Sequence, residues 1–69
     1  MIPLHIRLKE TRKSRGLTQV KVCKALFIDQ NSLSLFENGH RLPRVDMIEK
    51  FAEFYQVNPA WLCGWSDER

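Results

Sequence analysis

Cysteine is scarce: Cys23 and Cys63 are the only two in 69 residues, and they stand far apart. A small secreted domain of this size usually carries four or more, so the chain does not read as a disulfide scaffold. Neither cysteine sits in a C-x-x-C pair, and His5 and His40 have no ligand-like spacing to them. No zinc site is expected, and Cys23 reads as a small buried hydrophobe. Long apolar runs are missing too. The longest stretch poor in charge, 25–36, is interrupted by Asp29 and falls short of the ~20 residues of a membrane span. The N-terminus (MIPLHIRLKE) shows no apolar core behind basic residues, so no secretory signal is visible. The chain therefore reads as soluble and cytoplasmic, with no membrane partner. No Ser/His/Asp or Cys/His set can be assembled around either histidine, so neither catalysis nor a cofactor is expected. Repeats, low-complexity tracts and linkers are also absent, and 69 residues suffice for one domain, 1–69.

Acidic residues are nearly absent from the first third. Residues 1–24 hold Glu10 against Arg7, Lys9, Arg12, Lys13, Arg15, Lys21 and Lys24, a local charge of +6. Residues 25–44 are neutral, and residues 45–69 carry −3, leaving a net charge of +3. A basic half favours a polyanion such as DNA, although a solvated helix needs no such partner.

No segment alternates with period two, and the punctuation spells out helices. Pro3 suits a first helical turn. Leu4, Leu8 and Thr11/Arg12 share a face up to Arg15-Gly16, which predicts a helix over about 4–15. Thr18 is a good N-cap, and Val22, Cys23 and Leu26 share a face over 19–26. Asp29 caps the next helix, about 30–38, which Gly39 closes. After the loop HRLPR, Ile48, Phe51, Ala52 and Tyr55 mark a helix over about 45–55. Asn58-Pro59 opens a last one, 59–63, ended by Gly64. The expected fold is all-α, a compact five-helix domain.

Two helices joined by a three-residue turn, the second capped by Asp29, suggest a helix-turn-helix. At about 100° per residue, Leu33, Phe36 and Glu37 face inward. Asn31, Ser34, Leu35 and Asn38 face outward, with Gln30 at the exposed N-terminus. That outward stripe has no charge. A merely solvated helix would usually carry Lys and Glu, whereas a helix lying in the major groove uses short polar side chains against base edges.

The run LTQVKVCKALFIDQNSLSLFENG (17–39) resembles the lambda-repressor-like, or Cro-repressor (Xre-type), helix-turn-helix family. The resemblance extends from about Leu4 to Leu62, and NPAWLCGW is similar to the last helix of many phage and bacterial repressors. It implies a five-helix lambda-repressor-like fold in a bacterial or phage-encoded protein, with sequence-specific binding of double-stranded DNA. The implied role is a transcriptional regulator, a repressor acting as a homodimer on a palindromic operator. Gln30, Asn31, Ser34 and Leu35 match the base-reading positions. Thr18 and Gln19, at the start of the second helix, match a phosphate contact, and Asn38, Arg41 and Arg44 match the loop on the backbone. Arg12 and Glu37 match a structural ion pair between the first and third helices.

Three positions depart from the family pattern. Phe27 stands where Gly is usual, which is strained if the residue adopts positive φ and would reshape the turn. Thr11 replaces the usual Leu. Arg44 stands where Ser or Thr commonly caps the fourth helix. Phe54, Trp61 and Trp65, with Met47, exceed what one small core needs; core packing is the default for Trp61, and an exposed apolar patch left on the last two helices would mark a dimer surface. An alternative is that this surface takes a protein partner, as in an antitoxin neutralising a toxin or a bridging coactivator. The ending GWSDER resembles the start of a linker, so the chain reads equally as the N-terminal domain of a longer repressor.

Overall fold

The computed structural model describes residues 2–69, which form five helices: α1 (Leu4–Ser14), α2 (Gln19–Leu26), α3 (Gln30–Glu37), α4 (Val45–Tyr55) and α5 (Pro59–Leu62). Most of the boundaries have a local cause. Pro3 stands one residue ahead of α1, and its carbonyl accepts from the amides of Ile6 and Arg7. Thr18 Oγ1 accepts from the Lys21 amide at 3.2 Å, and Asp29 Oδ2 accepts from the Ser32 amide at 2.9 Å. Asn58 Oδ1 accepts from the Ala60 amide at 3.0 Å, with Pro59 opening α5. Each such cap satisfies a helix N–H that has no intrahelical partner. Helix α4 has no side-chain cap, because Arg44 occupies that position. It ends on Gln56 in the left-handed region (φ 57°), an ending for which the sequence offers no glycine signal.

The helices meet at one core to which each sends a fully buried side chain: Leu8, Val22, Leu33, Phe51 and Leu62. Burying each contributes about 1.5–3 kcal/mol. An aromatic row extends this core, with Phe36 edge-on to Phe51 at 6.2 Å and Phe51 stacked on Tyr55 at 6.4 Å. Helix α1 runs centrally and packs against α3, α4 and α5, while α2 packs mainly on α3.

Arg7 of α1 and Arg15, the residue just after it, act as structural cross-links. Arg15 Nη2 donates to the Tyr55 carbonyl at 2.7 Å, which satisfies the C-terminal end of α4. Buried Arg7 donates to the carbonyls of Trp61 and Ser66, and its guanidinium lies 4.5 Å from the centre of the Trp61 ring. The hydrophobic pattern of α1 passes over Arg7, yet position 7 falls in phase with Leu4, Leu8 and Thr11. That phase is the signal that could have placed it inside.

Candidate nucleic-acid interface

Three residues, Phe27, Ile28 and Asp29, connect α2 to α3. Ile28 is packed against the core, and its amide donates to the Cys23 carbonyl at 3.1 Å. Phe27 adopts φ 58° and ψ 44°, and its own amide also donates to Cys23. The turn is therefore not reshaped by the missing glycine. It keeps a left-handed cap at a strain cost of about 1–2 kcal/mol for an L-residue. Beyond it, Asp29 Oδ1 accepts from the Ser32 hydroxyl at 2.7 Å. The hydrogen bonds from the Ser32 hydroxyl and amide hold the Asp29 carboxyl below its ordinary pKa.

Helix α3 buries Leu33, Phe36 and Glu37, as the angular reading predicts. Gln30, Asn31 and Asn38 are exposed, and Ser34 and Leu35 are half-buried on the same outward side. Asn38 Nδ2 donates to Ser34 Oγ at 3.2 Å, one helical turn away. The Leu35 carbonyl accepts from the amides of His40 and Arg41, which folds the following loop back on α3. Arg41 and Arg44 are both exposed in that loop. At its start Gly39 (φ 76°) lies under the His5 ring. A Cβ there would come within 3.1 Å of the imidazole.

The angle of this stripe is set by a chain of polar contacts. Arg12 Nε donates to Glu37 Oε2 at 2.8 Å in a buried ion pair, and Arg12 Nη1 donates to the Leu17 carbonyl at 2.8 Å. The other Glu37 oxygen accepts from Gln19 Nε2 at 3.1 Å. Gln19 Oε1 in turn receives Gln30 Nε2 at 3.4 Å. α1, α2 and the first residue of α3 are thus tied to one carboxylate. Sequence reasoning pairs Arg12 with Glu37 but sends the Gln19 side chain outward; here that amide bridges Glu37 and Gln30. An amide at the first position of each of two successive helices was the available signal.

A mixed-charge cleft of about 380 Å³ adjoins the C-terminal end of α3, between it and α1. It is lined by His5, Ile6, Lys9, Glu10, Lys13, Glu37 and Asn38, so its two lysines face two carboxylates. A second feature lies elsewhere. Val45, Ile48, Pro59, Ala60, Cys63 and Trp65 line an apolar groove of about 420 Å³ between the starts of α4 and α5. It continues towards Leu4, Leu42 and Pro43. Trp65 is 77% exposed, Leu42 81% and Val45 70%.

The apolar surface expected from Phe54, Trp61 and Trp65 is thus composed differently. Trp65 lines it, and Leu42 and Val45 join it. Trp61 is half-buried against the core with the guanidinium groups of Arg7 and Arg69 over its ring, and Phe54 packs edge-on against Tyr55 at 5.2 Å. Neither Trp61 nor Phe54 lines the groove.

Comparison with known proteins agrees with this geometry. A helix-turn-helix family model matches residues 8–62. The chain is 38% identical over 58 residues to the HTH-type transcriptional regulator ImmR of Bacillus subtilis (strain 168), a match covering 84% of this chain and 46% of that protein. It is 30% identical over 61 residues to the cryptic phage CTXphi transcriptional repressor RstR of Vibrio cholerae, covering 88% of this chain and 55% of that one. The chain spans about half the length of these curated relatives. With five helices, no strand among the described residues, and a match across the α2–α3 unit, the chain belongs to the lambda-repressor-like (Xre-type) helix-turn-helix family.

Proposed function

We propose that these 69 residues act as one sequence-specific DNA-binding unit of a transcriptional regulator, with α3 as the helix that enters the major groove. The observation that carries this reading is the uncharged outward stripe of Gln30, Asn31, Ser34 and Leu35, held at a set angle by the buried Arg12–Glu37 pair through Gln19. Gln30 and Asn31 supply amides that pair bidentately with adenine, and Leu35 suits the thymine methyl. The stripe has no Arg or Lys, the usual guanine readers, so the preferred half-sites are rich in A·T at the contacted positions.

Around the stripe sit the groups that take phosphate. The first turn of α2, with Thr18 and Gln19, offers backbone N–H donors and the positive end of a helix dipole. Asn38, Arg41 and Arg44 flank the other end of α3. Binding therefore weakens steeply with salt, because each neutralised phosphate releases counterions. The names of the two relatives, one a regulator and one a repressor, support repression by occupancy of an operator.

The apolar groove at α4 and α5 supports a homodimer on a two-fold operator. Exposed Leu42, Val45 and Trp65 are the contiguous apolar surface that a monomer rarely leaves open. A two-fold pair presents its α3 helices to successive major grooves about 34 Å apart. Trp65→Ser in the groove is expected to shift the chain towards monomer in sedimentation.

Selection of binding sites from random duplex DNA tests the reading as a whole. The unaltered chain is expected to enrich a palindrome with A·T-rich half-sites, and Gln30→Ala and Asn31→Ala are expected to lose that preference. If both variants select the same site at unchanged affinity, α3 does not read the bases.

A further inference from the structure

Phe27 is the most exposed large apolar side chain among the described residues, at 94%, and it stands in the left-handed conformation that glycine adopts without strain. Neither feature serves the fold. The ring buries nothing, and relief of the backbone strain by glycine is expected to outweigh its entropy cost. We propose that Phe27 is a DNA-contacting residue, its ring lying on the deoxyribose face of the groove wall beside α3. This rests on the DNA-binding reading and adds a residue to it.

Position supports the assignment. Phe27 is two residues before the Asp29 cap and three before Gln30. Three peptide units reach at most about 11 Å, so its Cα lies within that distance of the Gln30 Cα. The major groove is about 12 Å wide. When Gln30 stands among the base edges, a long side chain on this turn reaches the wall, which consists of sugar and phosphate. An aromatic ring suits the apolar face of a deoxyribose.

Lys24 on α2 offers a cation for a phosphate near that sugar, and Val20 adds exposed apolar surface. Val20 and Lys24 stand seven and three residues before Phe27, on the outward side of α2, and both are exposed. Helix α2 itself (QVKVCKAL) carries two lysines and no acid. The nearest carboxylate in sequence, Asp29, stays ionised while it caps α3 through Ser32. An exposed apolar ring after a helix whose only charged side chains are lysines is compatible with a sugar–phosphate edge, and a protein surface is the rival outcome.

The test uses the unaltered chain, Phe27→Gly, Phe27→Asn and Phe27→Tyr, with the duplex enriched by the unaltered chain as probe. Glycine and asparagine both tolerate positive φ; asparagine keeps the turn stiffer, and tyrosine keeps the ring. Phe27→Gly is expected to melt at a higher temperature than the unaltered chain, yet to bind the duplex about tenfold more weakly. Phe27→Asn is expected to bind as weakly, and Phe27→Tyr to bind like the unaltered chain. Because the ring carries no charge, the salt dependence should keep its slope.

Unchanged affinity in Phe27→Asn overturns the proposal whatever the glycine variant does, and leaves the ring as a contact for another protein. If the unaltered chain enriches no duplex, the DNA-binding reading itself falls and this inference falls with it. The two failures are therefore distinguishable.

Discussion

The two ends of the molecule are held by different balances of directional bonding and burial. Around α2 and α3, order comes from directional bonds: three side chains converge on Glu37 and Gln19, and Thr18 and Asp29 cap the helices. Around α4 and α5, burial contributes most: Phe51, Tyr55 and Leu62 fill space, Arg7, Arg15 and Asn58 add hydrogen bonds to the backbone, and the nearby groove leaves apolar surface in solvent. Directional contacts set an angle, which a helix aimed at a groove requires. Burial sets proximity and tolerates adjustment, which suits a face that meets another surface. The contrast explains why one exposed face is polar and uncharged while the other is apolar.

Breaking the directional side should have the largest effect. Glu37→Ala leaves Arg12 buried without its partner, a loss of about 3–5 kcal/mol. A chain of this length has only about 3–10 kcal/mol in total. Chemical denaturation should therefore find the variant largely unfolded. The double change Arg12→Met with Glu37→Leu should recover most of that stability, because no charge remains buried. It should not recover DNA affinity, because Gln19 then has nothing to anchor it.

A smaller and opposite pair of effects is expected at Arg44. Arg44→Ser supplies the cap that α4 lacks and should raise stability by about 1 kcal/mol in denaturant titrations. The same change removes a cation from the loop, so binding should weaken and the salt slope fall by about one phosphate contact. Stability and affinity moving in opposite directions would separate scaffold from interface at one residue.

On the burial side, the Tyr55 hydroxyl is buried and has no hydrogen-bond partner among the described residues. Tyr55→Phe should leave stability unchanged or raise it by up to about 1 kcal/mol. Desolvation, and then the charge of Glu37, push the Tyr55 hydroxyl above its ordinary pKa. The unfolded chain releases this proton first, so the protein should lose stability as pH rises above about 10. Thermal melts of Tyr55→Phe should lack that contribution.

The smallest effect belongs to Asp29. Its carboxyl is held below the ordinary value, so its contribution is present near neutral pH and is lost as pH falls through the carboxylate range. Asp29→Asn should keep the cap and flatten the acid limb of a pH–stability curve.

Much of the fold was legible because its punctuation is local. Thr18, Asp29 and Asn58-Pro59 open helices where the sequence places them, and Gly16, Gly39 and Gly64 all adopt positive φ just beyond helix ends. The outward stripe of α3 followed from helical geometry alone. Contacts between distant segments were less legible. Arg7 reaches a carbonyl 54 residues away, and nothing near it in sequence announces that. The Gln19–Gln30 bridge depends on the angle between two helices, which periodicity does not give. Core packing was the default for Trp61 and the structure agrees, but the two arginines over its ring lie near opposite ends of the chain and were not legible.

The most direct test of the central claim is an amide chemical-shift map recorded by NMR while the selected duplex is titrated into the chain. The account predicts that the largest shifts fall at Thr18–Gln19, Phe27–Leu35 and Asn38–Arg44, with the groove at Val45, Ala60 and Trp65 little changed beyond its dimer state. Shifts confined to that groove, with Gln30 and Asn31 unmoved, would contradict it.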